Sequence, residues 1–181
     1  MNREADVTPD DIFARCLAVT LAEEGGYSTD PDDPGNWTGA AVGKGVCKGT
    51  KYGISAAAFP NLDIAALTRE QAAAIYQRDY WASIKGDQLP PALALCLFDA
   101  AVNSGVMTAV RWLQECVGVT PDGIMGPVTL AAIGDAPLSD LCAGFQAVRL
   151  RALPNEPRFL EGWKLRALRV TLAAGGMLDA G

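Results

Sequence analysis

The sequence predicts a mainly α protein: a helical globule with one long loop over residues 26–60 and at most one small β-hairpin. Three observations carry that expectation. Apolar residues recur at helical spacing between proline starts and glycine stops. Strand signals are confined to the segment between Val42 and Ser55. Half of the 181 residues are apolar and a fifth are charged, enough for a real core and too few charges for a disordered chain.

Each helix has its own punctuation. Thr8-Pro9-Asp10-Asp11 supplies an N-cap, a proline at the first helical position and an acid two residues on, and the helix it opens should stop at Gly25-Gly26. Thr68-x-x-Gln71 opens a second helix, which Gly86 closes. Pro90-Pro91 starts a third, ALALCLFDAAVNSG, ending at Gly105, and AVRWLQECVG follows so closely that the two form a helical hairpin. Pro127, Pro137 and Arg158 begin three more helical stretches, divided by Gly134 and the Pro154–Pro157 turn. No repeat, low-complexity tract or linker interrupts the chain, which reads as one compact unit.

Composition removes whole classes of chemistry. With no histidine, neither a Ser-His-Asp nor a Cys-His nucleophile can be assembled, and histidine zinc sites are gone too. The five cysteines are odd in number, widely spaced and mostly in apolar helical surroundings, which favours free thiols over a disulfide framework. No phosphate-binding glycine loop occurs. No cofactor or metal is therefore expected. The start MNREADVTPDD is too polar and acidic for a secretory signal, and the apolar run Ala92–Val102 is interrupted by Asp99, so the expectation is synthesis in the cytosol without membrane insertion. The net charge of −6 is concentrated in residues 1–35, with nine acids against two bases; residues 140–181 hold six bases against four acids. That is too little basic surface for nucleic acid to be the expected partner.

Carboxylate chemistry remains, and LAEEGGYSTDPDDPG, Leu21–Gly35, is where it concentrates. Phe13, Leu17, Leu21 and Glu24 follow at spacings that put Glu24 on the buried stripe of the first helix, with Glu23 turned toward solvent. Burial and the helix C-terminus both disfavour a charged carboxylate there, which suits a general acid. On position alone, a surface glutamate ahead of a Gly-Gly cap is an equal reading. Asp30, Asp32 and Asp33 follow on a loop that Pro31 and Pro34 stiffen, giving the paired carboxylates of a glycosidase. Calcium fits less well, because the spacing lacks the alternation and terminal glutamate of an EF-hand.

EGGYSTDPDDPG followed by TKYGIS resembles the signature of the glycoside hydrolase family 108 muramidases, found in phage endolysins and bacterial autolysin-like proteins. LFDAAVNSG, AVRWLQECVGVTPDGIMGPVT and RFLEGWKLR resemble the predicted peptidoglycan-binding segment that follows in that family, so the likeness runs from Leu17 to Arg169. It implies a lysozyme-like fold with both segments contributing to one cleft: a catalytic segment at 1–89 and a peptidoglycan-binding helical segment at 90–181. It also implies cleavage of the β-1,4 bond between N-acetylmuramic acid and N-acetylglucosamine. The family's catalytic glutamate falls on Glu24. An offset of nine, as in phage lysozymes of the Glu-Asp-Thr type, puts the second carboxylate on Asp33, with Asp30 the competing choice; the motif threonine falls on Thr50. The insert Asn36–Gly49 separates Asp33 from Thr50. Its Trp37 is either a sugar-stacking platform or a pin for the loop, and Tyr27 either lines the cleft or anchors the same loop. Asn103, matching the family's A-V-N motif, is the substrate-contact candidate outside the loop, while Trp112 and Trp163 read as core. PDGIMGP has the form of two turns around a buried Ile-Met pair. The expected partners are peptidoglycan, approached by a monomer through a local basic patch of Arg149, Arg151, Arg158, Lys164, Arg166 and Arg169, and a separate holin-type pore that releases the enzyme from the host cytoplasm at lysis.

Overall fold

The computed structural model describes residues 8–24, 26–134, 136–154 and 156–178. Seven α-helices and one two-stranded sheet occur among them. By packing, the chain falls into two units: one runs from Thr20 to Tyr76, and the other joins the segment ending at Val19 to the one starting at Gln77. No linker separates them, since the first boundary falls inside helix α1 (Pro9–Glu23) and the second directly after helix α2 (Arg69–Tyr76).

The larger unit is built around α3 (Pro91–Ser104), in which every residue from Ala92 to Ala101 is buried. A helix that is apolar all round must be enclosed, and α4 (Val106–Cys116), α6 (Leu138–Ala152) and α7 (Pro157–Gly175) surround it. The α3–α4 hairpin turns on Gly105 at φ 88°, a conformation that side-chain-bearing residues avoid. Between Gly126 and Pro137 lies the short α5 (Pro127–Ile133). Phe13, Trp81 and Phe98 form an aromatic cluster with ring centroids 5.4, 5.6 and 5.9 Å apart. The start of α1 is capped as its sequence predicts. Thr8 Oγ1 accepts from the Asp11 amide at 3.3 Å, and Asp11 Oδ2 accepts from the Thr8 amide at 3.0 Å and from its hydroxyl at 2.7 Å. Those bonds hold the Asp11 carboxyl below its usual range.

The acid that breaks the apolar run is a structural hub. Asp99, fully buried on α3, accepts from Arg149 Nη2 of α6 at 2.9 Å and from Arg166 Nε of α7 at 3.0 and 3.2 Å. The expected basic patch is corrected accordingly. Arg149 is wholly buried and Arg166 is 8% exposed, so two of its cations are spent inside the protein. Of the others, Arg151 lies 3.8 Å from Glu115 and Lys164 3.0 Å from Glu161, while the side chain of Arg158 lies outside the described residues.

Two further expectations change. In PDGIMGP only Met125 is buried, at 5% exposure, against 66% for Ile124. The turn is held instead by polar bonds: Gln114, nearly buried on α4, accepts from the Gly123 amide at 2.8 Å and donates to Asp122 Oδ1 at 2.7 Å. The helix expected to reach Gly86 ends at Tyr76 and passes into a π turn, Gln77–Trp81. All five cysteines are free thiols, and burial pushes the Cys16 thiol up to about 12.

In the smaller unit α2 opens on a reciprocal cap, with the Thr68 amide donating to Gln71 Oε1 at 2.9 Å and the Gln71 amide to Thr68 Oγ1 at 3.2 Å. Strands β1 (Thr50–Lys51) and β2 (Ile54–Ser55) form the expected small hairpin, antiparallel, with Thr50 opposite Ser55. Lys48 and Lys51 fasten it by donating to the carbonyls of Pro60 and Ala65, at 2.7 and 2.8 Å.

Candidate active site

The described residues from Glu24 to Ser55 fold into one braced assembly inside the smaller unit. Its frame is backbone pairing: the Ser28 amide donates to Thr50 O and the Thr50 amide to Ser28 O, each at 2.9 Å, so Ser28 is bridged to β1 by an isolated antiparallel pair. This pairing carries Thr50 next to the acidic segment.

Helix α1 ends at Glu23, and Glu24 is the first residue beyond it. The stripe that was to bury Glu24 is followed by Phe13, Cys16, Leu17 and Thr20, all buried. Glu24 itself leaves the stripe and is half-buried, as is Glu23, so the expected contrast between the two is absent. Gly25, half of the expected stop, lies outside the described residues.

What holds Glu24 is the hairpin turn. Tyr52 and Gly53 both have positive φ, 52° and 74°, the pattern of a tight type I′ connection. Gly53 is required there twice over. A β-carbon at Gly53 would overlap the Tyr76 hydroxyl and lie 2.8 Å from Glu24 Oε2 and 3.0 Å from Glu24 Cδ. Tyr76, 1% exposed, donates its hydroxyl to Tyr52 O at 2.8 Å. The Glu24 carboxylate is thus seated against the bare face of the turn, beside a buried phenol. With Glu24 as the acid the sequence expects, Gly53→Ala should cost cleavage activity on the order of 10²-fold, because displacing a catalytic group by about 1 Å has that effect. Initial rates on purified sacculi, read beside a melting curve, check this; unchanged rates would detach Gly53 from the site.

The aspartates are engaged in the loop. The Asp32 amide donates to Asp30 Oδ1 at 3.0 Å, and the Gly35 amide to Asp33 Oδ1 at 2.8 Å, making Asp33 the cap of a short 3₁₀ turn, Pro34–Asn36. Both carboxylates are exposed.

The insert proves to be a closed excursion. Asn36, fully buried, donates from Nδ2 to Asp30 O at 2.9 Å and accepts at its carbonyl from the Lys48 and Gly49 amides at 2.9 and 3.1 Å. Chain entry and exit are tied to one residue, so fourteen intervening positions do not carry Thr50 away from the Asp30–Asp33 loop. Trp37 acts as a pin in this geometry: its Nε1 donates to Pro31 O at 2.8 Å and its backbone bridges Cys47. Tyr27 is an anchor with one face open, donating to Lys48 O at 3.3 Å while 49% exposed.

Asn103 belongs to the larger unit, in the last turn of α3, where it is half-buried and accepts at Oδ1 from Ser104 Oγ and Arg149 Nη2, at 3.3 and 3.4 Å. Trp112 is buried, as expected of core, and Trp163, also expected as core, is half-buried; both line a cavity of about 280 Å³ beside Asn103. Among the described residues no three Cys, Asp or Glu side chains gather as metal ligands, and no helix is long and apolar enough to cross a membrane. Sequence reasoning missed Gly53 and Tyr76 as companions of Glu24. The Tyr-Gly step inside TKYGIS signals the turn, but nothing local to Tyr76 announces its role.

A helical unit and a small hairpin that seats a carboxylate are the architecture of the lysozyme-like, mainly α class. Comparison with known proteins agrees. The profile of the family described as glycosyl hydrolase 108 matches residues 17–105, a span that contains Glu24, Asp30, Asp33, Thr50 and Asn103. The solved structure of Brucella abortus SagA is 30% identical, covers 94% of this chain and 97% of its own, and superposes with a TM-score of 0.78. No curated protein matches the chain. The chain belongs to the glycosyl hydrolase 108 family. It is accordingly a glycoside hydrolase, and peptidoglycan is the substrate class that membership supports.

Proposed function

We propose that the protein is an N-acetylmuramidase that cleaves the β-1,4 bond between N-acetylmuramic acid and N-acetylglucosamine. The observation that carries this reading is the Glu24 carboxylate fixed against the Gly53 turn, in a chain of this family. Glu24 gives its proton to the glycosidic oxygen as the bond to the anomeric carbon breaks. Asp33, with Asp30 as the alternative, stabilises the developing positive charge or takes the proton of the attacking water, which Thr50 helps to hold. Tyr27, Trp37 and Asn103 contact the substrate in this reading, Tyr27 through its exposed face and Trp37 also as the brace of the loop.

One observation favours a second mechanism. Asp30 and Asp33 each commit a carboxylate oxygen to a backbone amide of their own loop. A lytic transglycosylase would need Glu24 alone, with the muramic 6-hydroxyl attacking in place of water. Mass spectrometry of sacculi digested by the protein separates the two. Reducing N-acetylmuramic ends are expected; anhydro ends would replace the hydrolytic mechanism with the transglycosylase, and intact sacculi would overturn both.

The proposal extends to biology. Residues 1–89 would carry catalysis and 90–181 wall binding, in a monomeric endolysin held in the host cytoplasm until a holin-type pore opens. Cells expressing the protein should stay intact until their inner membrane is permeabilised, and then lyse; lysis without permeabilisation would remove the endolysin part.

A further inference from the structure

The cavity beside Asn103 has a built polar end. Arg149 lies behind it, wholly buried, with Nη2 shared between Asp99 at 2.9 Å and Asn103 Oδ1 at 3.4 Å; its Nε and Nη1 have no hydrogen-bond partner among the described residues. A guanidinium can only donate, so the Asn103 atom facing it must be the carbonyl oxygen. Ser104 Oγ donates to that same oxygen at 3.3 Å. The amide is thereby oriented, and Asn103 offers the cavity its Nδ2 donors rather than an acceptor. The partly unpartnered cation behind it adds positive potential, which favours an oxygen acceptor at this spot.

The other walls are apolar. Trp112 and Trp163 contribute indoles, Ala152, Leu153 and Pro154 close the side, and Thr108 adds a hydroxyl. No lysine or arginine is among these lining residues, so a carboxylate would enter without a charged partner, at a cost that a neutral carbonyl does not meet. At about 280 Å³ the space lies at the small end of ligand sites, right for one substituent rather than a disaccharide. A small group with a carbonyl acceptor and an apolar methyl satisfies every wall.

We propose that this cavity is a subsite for the N-acetyl group of a peptidoglycan sugar: the acetamido oxygen accepts from Asn103 Nδ2 and the methyl rests on the Trp112 and Trp163 indoles. The assignment rests on peptidoglycan being the substrate, and gives Asn103 a defined role within it.

The test is an NMR titration of the full chain with the β-1,4 disaccharide of N-acetylglucosamine and with its de-N-acetylated counterpart. The tryptophan indole N–H signals are the readout, assigned with Trp112→Phe and Trp163→Phe. Saturable shifts of the Trp112 and Trp163 signals are expected with the acetylated sugar alone. Thr108→Phe, which fills the cavity from its α4 wall, should abolish them. Asn103→Leu should weaken binding by up to about tenfold, the worth of one hydrogen bond. Should Asn103→Leu fail to fold, Thr108→Phe decides alone, with its near-ultraviolet dichroism as the check on packing. Equal shifts with both sugars, shifts that survive Thr108→Phe, or no shift of these two indoles at millimolar sugar would overturn the subsite. Cleavage of sacculi by the wild type is scored separately. Cleavage with silent indoles would sink the subsite alone, and responsive indoles without cleavage would sink the muramidase reading alone.

Discussion

Glu24→Gln should reduce cleavage of peptidoglycan by about 10²–10⁴-fold, the usual worth of a positioned general acid, while leaving the melting curve unchanged. The variant keeps the shape that sits against Gly53 but has no acidic proton to give. Stability should not suffer, because Glu24 is half-buried and lies beyond the last turn of α1, clear of the buried stripe that ends at Thr20. Glu24→Asp makes the sharper companion. It restores the acid but withdraws it by one methylene from the turn that seats it, so it should recover only a small part of the loss. A large recovery would mean that proximity to the Gly53 turn does not set the position of the proton. Wild-type rates in Glu24→Gln would remove the residue from catalysis altogether.

Much of this arrangement was legible in the sequence wherever the controlling interaction is local. The Thr8–Asp11 and Thr68–Gln71 caps, the proline start of α3 and the Gly105 hairpin are all set by residues within a turn of one another, and they form as written. Helical periodicity singled out Glu24 by placing it on the buried stripe, but the helix stops one residue short of it and Glu24 leaves that stripe. Failures follow sequence distance and competition. The insert looked like a spacer because nothing in a one-dimensional reading shows that a single buried asparagine, Asn36, closes it through backbone bonds to Lys48 and Gly49. Ile124 looked like core because it is large and apolar, yet the turn it occupies is organised by Gln114 and Asp122, leaving its side chain outside. Tyr76 escaped notice because its partner, the Tyr52 carbonyl, is 24 positions away. The basic tail was misread for the same reason: two of its charges, Arg149 and Arg166, have a partner in α3, Asp99, that periodicity does not reveal.

Those partners supply the largest expected effect on stability. Asp99→Asn should destabilise the fold by about 3–5 kcal/mol, the cost of removing one member of a buried ion pair. At roughly 2–4 °C per kcal/mol for a domain of this size, the melting temperature should drop by on the order of 10 °C. The reason is the charge left behind rather than the bond lost. Arg149 is wholly buried and has two nitrogens already without a hydrogen-bond partner among the described residues, so without the carboxylate its cation is stranded between α3 and α6. Arg166, 8% exposed, reaches the same carboxylate from α7 with Nη2 at 2.9 Å. Replacing the set together gives the contrasting case. Asp99→Leu combined with Arg149→Met and Arg166→Leu removes the stranded charges along with the carboxylate, and well-packed apolar substitutes for buried ions are often neutral or stabilising. That triple variant should melt well above Asp99→Asn. It should nonetheless lose the oriented Asn103 amide, since no guanidinium would then hold Oδ1 inward. A triple variant no more stable than Asp99→Asn would show that the ion cluster contributes through packing volume and helix registry, and not through charge compensation.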